Sequence, residues 1–332
     1  MSVTTYLSTD SGAPVINGTS GNGIPNVLTT CLAGTGTAYG SLPKKGWTVL
    51  FSGTNKVVLQ TVDGIGILRV AQDGSNTGGF REALVRAAES ATNVDTLVDL
   101  YPNTTEVTAG NETWRATDTL DTTARPWMLV ADDNWLILCI RFGTSAADMY
   151  IFGRFSSAIS SNSWPYVINC RNISNSTSES SSNSACGFAV GFAGGFSSQR
   201  LFAMRTPDGL TKSPRATFVT SSCAQSSSLG YGGAVGPKIP NAAGVIVKTP
   251  PQLWINGASG ASAVNPEFAG YFPNLWSPLY SFSAAGRAVV YGDTFTSPGY
   301  DAAAQFILTG PFNDTLGKWI VETTSTWKDP LS

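Results

Sequence analysis

Two short apolar runs stand out, Pro126-Trp127-Met128-Leu129-Val130 and Trp135-Leu136-Ile137-Leu138-Cys139-Ile140-Arg141, separated by Ala131-Asp132-Asp133-Asn134. Runs this short that end in turn-forming residues read as strands, and the pair reads as a hairpin. Neither arm alternates apolar with polar, so both faces are expected to be covered, with the hairpin central in its sheet. A different period marks Ile24, Val27, Leu28, Cys31 and Leu32, whose i, i+3, i+4, i+7, i+8 spacing predicts a short helix. Pro25 suits its first turn and Gly34 its end.

Trp47–Phe51 and Lys56–Gln60, joined by Ser52-Gly53-Thr54-Asn55, predict a second hairpin, followed by a strand from Ile65 to Ala71 that ends before Asp73-Gly74. Glu82–Ser90 is rich in helix formers and reads on propensity as a helix. Residues 156–184 turn Ser- and Asn-rich around Trp164-Pro165-Tyr166-Val167-Ile168, the signature of a surface excursion or an internal boundary. Further short strands are expected at Gly187–Phe192, Leu201–Met204, Ala216–Val219, Gly244–Lys248, Leu279–Phe282, Ala288–Tyr291 and Gln305–Thr309, with Gly, Pro and Asn between them. No helix long enough for a βαβ crossover links them. The expected fold is mainly β, with sandwich or barrel-like antiparallel sheets and one or two short helices. Three parts are expected: residues 1–155 as an N-terminal β-rich core with the short helix, 156–186 as the Ser/Asn-rich excursion, and 187–332 as a C-terminal β-rich part packed on the first.

Composition narrows the chemistry. The 332 residues are 42% hydrophobic, enough for a large core without disulfides or metals. Charged residues make up 13%, about half the usual roughly 25%. Lys and Arg (20) nearly balance Asp and Glu (22). No basic field is available for nucleic acid. A weakly charged surface suits dense self-assembly, although a low-charge secreted lectin has the same composition. The chain has no histidine, which removes Ser-His-Asp and Cys-His machinery, an imidazole switch and His-containing zinc sites. Five cysteines (Cys31, Cys139, Cys170, Cys186, Cys223) form no C-x-x-C pair. Most read as buried reduced thiols, while Cys170 and Cys186 bracket the Ser/Asn-rich segment at a spacing open to a bridge. No basic leader and no run of 18 apolar residues is found, so synthesis in the cytoplasm without a membrane span is expected.

The carboxylates read as structural. Asp132-Asp133 fits a hairpin turn, Asp95 and Asp99 flank Leu97-Val98 in a loop, and Glu82 and Glu89 lie among Arg81 and Arg86 as ordinary ion-pair partners. Gly191-Phe192-Ala193-Gly194-Gly195-Phe196 lacks the Gly-Lys-Ser/Thr ending of a phosphate loop. Aromatic residues amid turn formers are the candidate contact surface: Trp164, Tyr166, Tyr271, Phe272, Trp276 and Tyr280. The competing reading is that these rings cover their own sheet. No catalytic residue, cofactor or metal ligand is expected.

A series of motifs resembles a family of tailed-bacteriophage virion proteins. It opens with Gly12-Ala13-Pro14-Val15-Ile16-Asn17-Gly18 and the helix after it, continues through Gly46-Trp47, Phe51-Ser52-Gly53-Thr54-Asn55-Lys56 and Leu68-Arg69-Val70, then Glu89-Ser90 with Asp95-Thr96. Ala124-Arg125-Pro126-Trp127 with Val130-Ala131-Asp132, Gly286–Val290 and Ile307–Phe312 complete it. Residues 156–278 are covered poorly. The resemblance implies a strand over residues 81–90 and a structural component of the virion, made in the host bacterial cytoplasm. Such a protein is most simply a tail-associated assembly protein contacting its own copies and other virion proteins. It implies no enzyme and carries over no catalytic residue. Two alternatives stay open: a capsid (head) decoration protein, and a receptor- or glycan-binding adhesion module whose partner is a host-surface glycan, for which residues 271–280 speak. The chain departs from the family after Leu68-Arg69-Val70, where relatives often carry Asp-Asp and Ala71-Gln72-Asp73-Gly74 stands here.

Overall fold

A computed structural model describes residues 3–72, 81–101, 112–142, 148–172, 200–205, 212–219, 248–250, 252–255, 267–278, 293–296, 304–309 and 319–324. Over these residues the chain is mainly β, with several antiparallel sheets and one helix in a sandwich-like arrangement. It runs β1 (Thr4–Leu7), α1 (Ile24–Leu32), β2 (Thr37–Tyr39), β3 (Leu42–Pro43), β4 (Thr48–Gly53), β5 (Lys56–Gln60), β6 (Ile67–Ala71) and β7 (Arg81–Ala88). Next come β8 (Ser90–Ala91), β9 (Leu97–Val98), β10 (Glu112–Thr117), β11 (Trp127–Ala131), β12 (Trp135–Ile140), β13 (Asp148–Arg154), β14 (Ser156–Ser157) and β15 (Tyr166–Asn172). The remaining strands are β16 (Arg200–Arg205), β17 (Lys212–Val219), β18 (Lys248–Thr249), β19 (Gln252–Ile255), β20 (Glu267–Tyr271), β21 (Leu275–Pro278), β22 (Thr294–Thr296), β23 (Gln305–Thr309) and β24 (Trp319–Glu322).

The hairpin β11–β12 pairs Trp127 with Ile140 through to Ala131 with Leu136, and every residue of both strands is buried. With β1 on one side and β13 on the other it makes a middle layer. Successive side chains of a strand point to opposite faces, and here both faces meet apolar cores. Leu129, Leu138 and Phe152 join one core with the buried residues of α1, with Val57, Val70 and Val85 of β5–β7, and with Trp114 of β10. Val130, Ile137 and Ile151 join a second core with Leu253, Phe272, Leu275, Ile307 and Val321 of the C-terminal strands. Among the described residues, the hairpin layer thus has an apolar core on each of its faces.

Strand β15 joins the layers because one of its edges is shared. Its N-terminal half pairs with β13 (Ile168 opposite Phe152), its C-terminal half with β10 (Asn172 opposite Glu112), and its other edge with β16. Where β15 leaves β13, the Asn169 side chain takes over. Its Oδ1 accepts the Ile151 N–H and its Nδ2 donates to the Met149 carbonyl at 2.9 Å. Tyr150 does the same for β10: its hydroxyl accepts from the Arg115 N–H at 2.6 Å and lies 2.9 Å from the Arg115 carbonyl. Trp114 stacks on the Tyr150 ring at 5.2 Å and donates to the Asn169 carbonyl at 2.6 Å. The fork therefore leaves these buried backbone groups paired, as burial requires.

The predicted helix has the predicted bounds, with Pro25 in its first turn. Its N-cap, Gly23, has no side chain to offer, so Gln72 at the end of β6 caps from afar: its Oε1 accepts the Ile24 N–H at 3.0 Å. Gly34 follows in the left-handed region, where glycine is favoured. The hairpin β4–β5 closes with Thr54-Asn55, Asn55 taking φ 56°.

One expectation is corrected. Residues 82–88 belong to strand β7 despite their helix formers, in line with the strand that the family resemblance implies. Ala83, Val85 and Ala87 alternate into the core, and pairing with β6 and β10 outweighs a propensity worth a few tenths of a kcal/mol per residue. Within the Ser/Asn-rich stretch, residues 156–164 are partly or fully exposed, whereas Tyr166–Cys170 is wholly buried within β15. The predicted strands at 187–192, 279–282 and 288–291, and most of 244–248, lie outside the described residues, as does Cys186. Cys31, Cys139 and Cys170 are buried, and Cys31 and Cys170 are free thiols.

Because the hairpin borders a core on each face, Ile137→Ala and Leu138→Ala empty different cores. Each is expected to cost about 2–5 kcal/mol through lost transfer energy and a cavity, read as a shift of the urea midpoint at unchanged slope. A loss from one substitution alone would mean that one face is not packed.

Candidate functional site

The densest convergence of polar side chains sits on the loop between β5 and β6. Asp63, held in the turn Val62-Asp63-Gly64, has its carboxylate 2.8 Å from the Tyr166 hydroxyl through either oxygen, and it accepts from Thr61 Oγ1 at 2.7 Å and the Ile65 N–H at 3.0 Å. Arg154, at the end of β13, adds an ion pair at 3.1 Å. The Asp63 N–H donates to Asn134 Oδ1 at 3.1 Å, tying the loop to the β11–β12 turn. Gly66 permits this arrangement: a Cβ there would lie 2.2 Å from the Tyr166 ring.

Burial pushes the Asp63 pKa upward, but the Ile65 N–H, the Thr61 and Tyr166 hydroxyls and the Arg154 charge outweigh it and hold the carboxyl below its ordinary value. Burial first, with the Asp63 charge adding to it, raises the Tyr166 phenol. Tyr166 therefore stays a proton donor and Asp63 a saturated acceptor. A carboxylate whose oxygens are already taken by four partners is poorly suited to act as a base. The cluster's evident work is to join the β5–β6 loop, β13, β15 and the central turn.

A second polar group lies in that turn. Asp132 Oδ1 accepts the N–H groups of Asn134 (2.7 Å) and Trp135 (2.8 Å), as its turn reading predicts, yet the residue is buried. Its carbonyl accepts the Trp47 indole N–H at 3.0 Å. Lys45, also buried, donates to Thr4 Oγ1 at 2.8 Å. Burial lowers the Lys45 pKa against the opposing pull of Asp133 and Asp132. Burial raises Asp132 to about 6, the two turn N–H groups only partly offsetting it.

Other carboxylates serve as clasps. Asp95 binds Arg69 at 2.7 Å and Lys56 at 3.0 Å, pinning the segment that carries β8 and β9 over the outer face of β5–β7. Arg86 pairs with buried Glu112, and Glu82 is buried as well, where the sequence reading had placed Glu82 in a surface ion pair. A cleft of about 250 Å³ beside the N-terminus of α1 presents hydroxyls and amides from Ser20, Asn26, Asn55 and Gln72. The one cation among its described lining residues, Lys56, is bound to Asp95. Among the described residues no group of three or more potential ligands could hold a metal ion, and no helix is long and apolar enough to cross a membrane.

The predicted contact aromatics do not form one surface. Tyr166 and Phe272 are fully buried, and Trp276 is 7% exposed with its indole donating to Glu322 Oε2 at 3.2 Å. Phe272 meets Trp135 edge-on at 5.8 Å in the second core. For these three the reading as interface residues is corrected: their rings cover their own sheets. Trp164 and Tyr271 are partly exposed, Tyr271 packing on Phe268 at 5.1 Å and lying opposite Ser156 between β20 and β14. Tyr280 lies outside the described residues. The sequence reading missed Asp63, Asn169, Lys45 and Gln72. Only the Asp63-Gly64 turn dipeptide was visible, since the partners that these residues join across elements lie 18 to 103 positions away.

No protein-family model matches the chain, and no curated protein matches it. Fold and sites define a class: a mainly β, sandwich-like protein whose polar clusters join strands.

The two acids predict opposite pH behaviour. Asp132 is harder to ionise folded than unfolded, so the folded chain holds the extra proton between about pH 4 and 6 and stability falls as pH rises through that window. Asp132→Asn keeps an acceptor for the turn. Its thermal midpoint should gain on the parent across this window and hold the gain above it. Asp63 is easier to ionise folded, so it stabilises above its ordinary value and the benefit is lost as pH falls. Asp63→Asn should therefore destabilise at pH 7 and converge with the parent in acid. Parallel pH profiles for parent and variants would contradict both assignments.

Proposed function

We propose that this protein is a structural component of a tailed-phage virion, a tail-associated assembly protein that acts through contacts with its own copies and with other virion proteins. The observation that carries the reading is that residues of the resembling motifs hold one another. Trp47 of Gly46-Trp47 donates to the Asp132 carbonyl at 3.0 Å. Arg69 of Leu68-Arg69-Val70 and Lys56 of the Phe51–Lys56 motif both bind Asp95 of Asp95-Thr96. The Trp127 indole donates to the Pro14 carbonyl at 2.9 Å and the Arg125 N–H to the Ile16 carbonyl at 2.8 Å, joining the Ala124–Asp132 motif to the opening one.

Residues scattered over more than a hundred positions thus make one connected scaffold, as expected if the resemblance is to a fold rather than to an active centre. The sparse charge supports dense packing of copies. Antibodies raised against the folded protein and imaged on purified particles test the proposal. Regular labelling of the tail is the expected result. Labelling of the head would make the protein a capsid decoration instead, and absence from purified particles would contradict a virion role.

A further inference from the structure

The chain contains three Asn-Gly steps, Asn17-Gly18, Asn22-Gly23 and Asn256-Gly257, the last outside the described residues. Glycine after asparagine leaves the following amide nitrogen unshielded by a Cβ, so it can reach the asparagine side chain. The first two steps stand in one loop before α1; both glycines are buried, Gly23 against the Gln72 amide, and the steps differ in how the asparagine side chain and the glycine N–H are held. Asn17 is 5% exposed, its Nδ2 donates to the Thr122 carbonyl at 3.3 Å, and its Oδ1 accepts the Thr19 N–H at 2.9 Å and the Thr19 hydroxyl. The Gly18 N–H is committed to the Asp121 carbonyl at 2.8 Å. Nucleophile and electrophile of that step are both held. Asn22 is partly exposed, and its amide makes one side-chain contact, Nδ2 to Thr19 Oγ1 at 3.0 Å. The Gly23 N–H makes no hydrogen bond among the described residues.

We infer that Asn22-Gly23 is a site of spontaneous deamidation in the folded protein, and that Asn17-Gly18, five positions earlier, is protected. The Gly23 nitrogen bonds to Asn22 Cγ and gives up its proton. The Cγ–Nδ2 bond breaks, and the side-chain nitrogen leaves with that proton as ammonia, closing a cyclic imide. Water opens the imide, adding hydroxide to one of its two carbonyl carbons and a proton to the nitrogen, and yields aspartate or isoaspartate at position 22. No oxidant or reductant is needed.

The product changes the head of α1. The N-cap residue of that helix, Gly23, offers no side chain and the first turn holds no acid, so a carboxylate just before it adds a negative charge where the helix dipole favours one. Isoaspartate also lengthens the main chain by one carbon, displacing the Asn22 carbonyl that accepts the Asn17 N–H at 3.1 Å. The folded protein therefore acquires, with age, an acidic form altered at the wall of the cleft beside α1.

The test is to hold the purified full-length protein, folded and in urea, under warm, mildly alkaline conditions and map its peptides by mass spectrometry over time. In the folded sample residue 22 is expected to convert to aspartate and isoaspartate while Asn17 keeps its amide, with a matching acidic species on ion exchange. In urea both steps should convert. Asn22→Gln should lose the modification in the peptide covering residue 22 while Asn17 still converts in urea. Equal conversion of residues 17 and 22 in the folded protein, conversion of Asn17 first, or an intact Asn22 in folded protein while the urea sample reacts would each overturn the inference.

Discussion

The hairpin β11–β12 has no polar face, and that property fixes where the other layers can go. A strand pair with one apolar face needs one cover, whereas this pair needs two. Its odd-numbered neighbours Leu129 and Ala131 and its even-numbered Met128 and Val130 enter different cores. Burying each large apolar side chain is worth roughly 1.5–3 kcal/mol, so leaving either face in water would cost more than the few kcal/mol that separate folded from unfolded chains. The N-terminal strands with α1 cover one side, and the C-terminal strands cover the other.

Two layers springing from one strand create a polar problem at the branch. At β15 the backbone of β13 and that of β10 diverge, and each would leave buried donors and acceptors without partners, at about 1–3 kcal/mol for each. Side chains that imitate a peptide group remove the problem: the Asn169 amide serves β13 and the Tyr150 hydroxyl serves β10. The Asp63–Tyr166–Arg154 cluster closes the opposite end of the same strand. Among the described residues, these polar clusters are found where strands part, and each secures backbone or a loop.

How much of this the sequence discloses follows from the range of each interaction. The hairpin, the helix with its bounds, and the strands at 56–60 and 305–309 are written in local periodicity, which depends on neighbours a few positions apart. Strand β7 is not, because its alanines and glutamate favour a helix until β6 and β10 supply edges to pair with. The fork residues and Asp63 are illegible for the same reason: an isolated Asn in Ile168-Asn169-Cys170 or Asp in Val62-Asp63-Gly64 looks like any other turn or surface residue. Aromatics misled in the other direction. Phe272 and Trp276, offered from their prolines and turn formers as contact candidates against the competing reading that they cover their own sheet, are buried, Phe272 in the second core that the hairpin demands.

Native-state hydrogen exchange, followed strand by strand, tests the two-faced hairpin most directly. If both outer layers depend on it, the amides of β11, β12 and β13 exchange last and only with global unfolding, while β4–β7 and β21–β24 open no later than they do. Persistent protection of either outer layer after the middle strands have exchanged would show that layer to be stable alone, and would contradict the account.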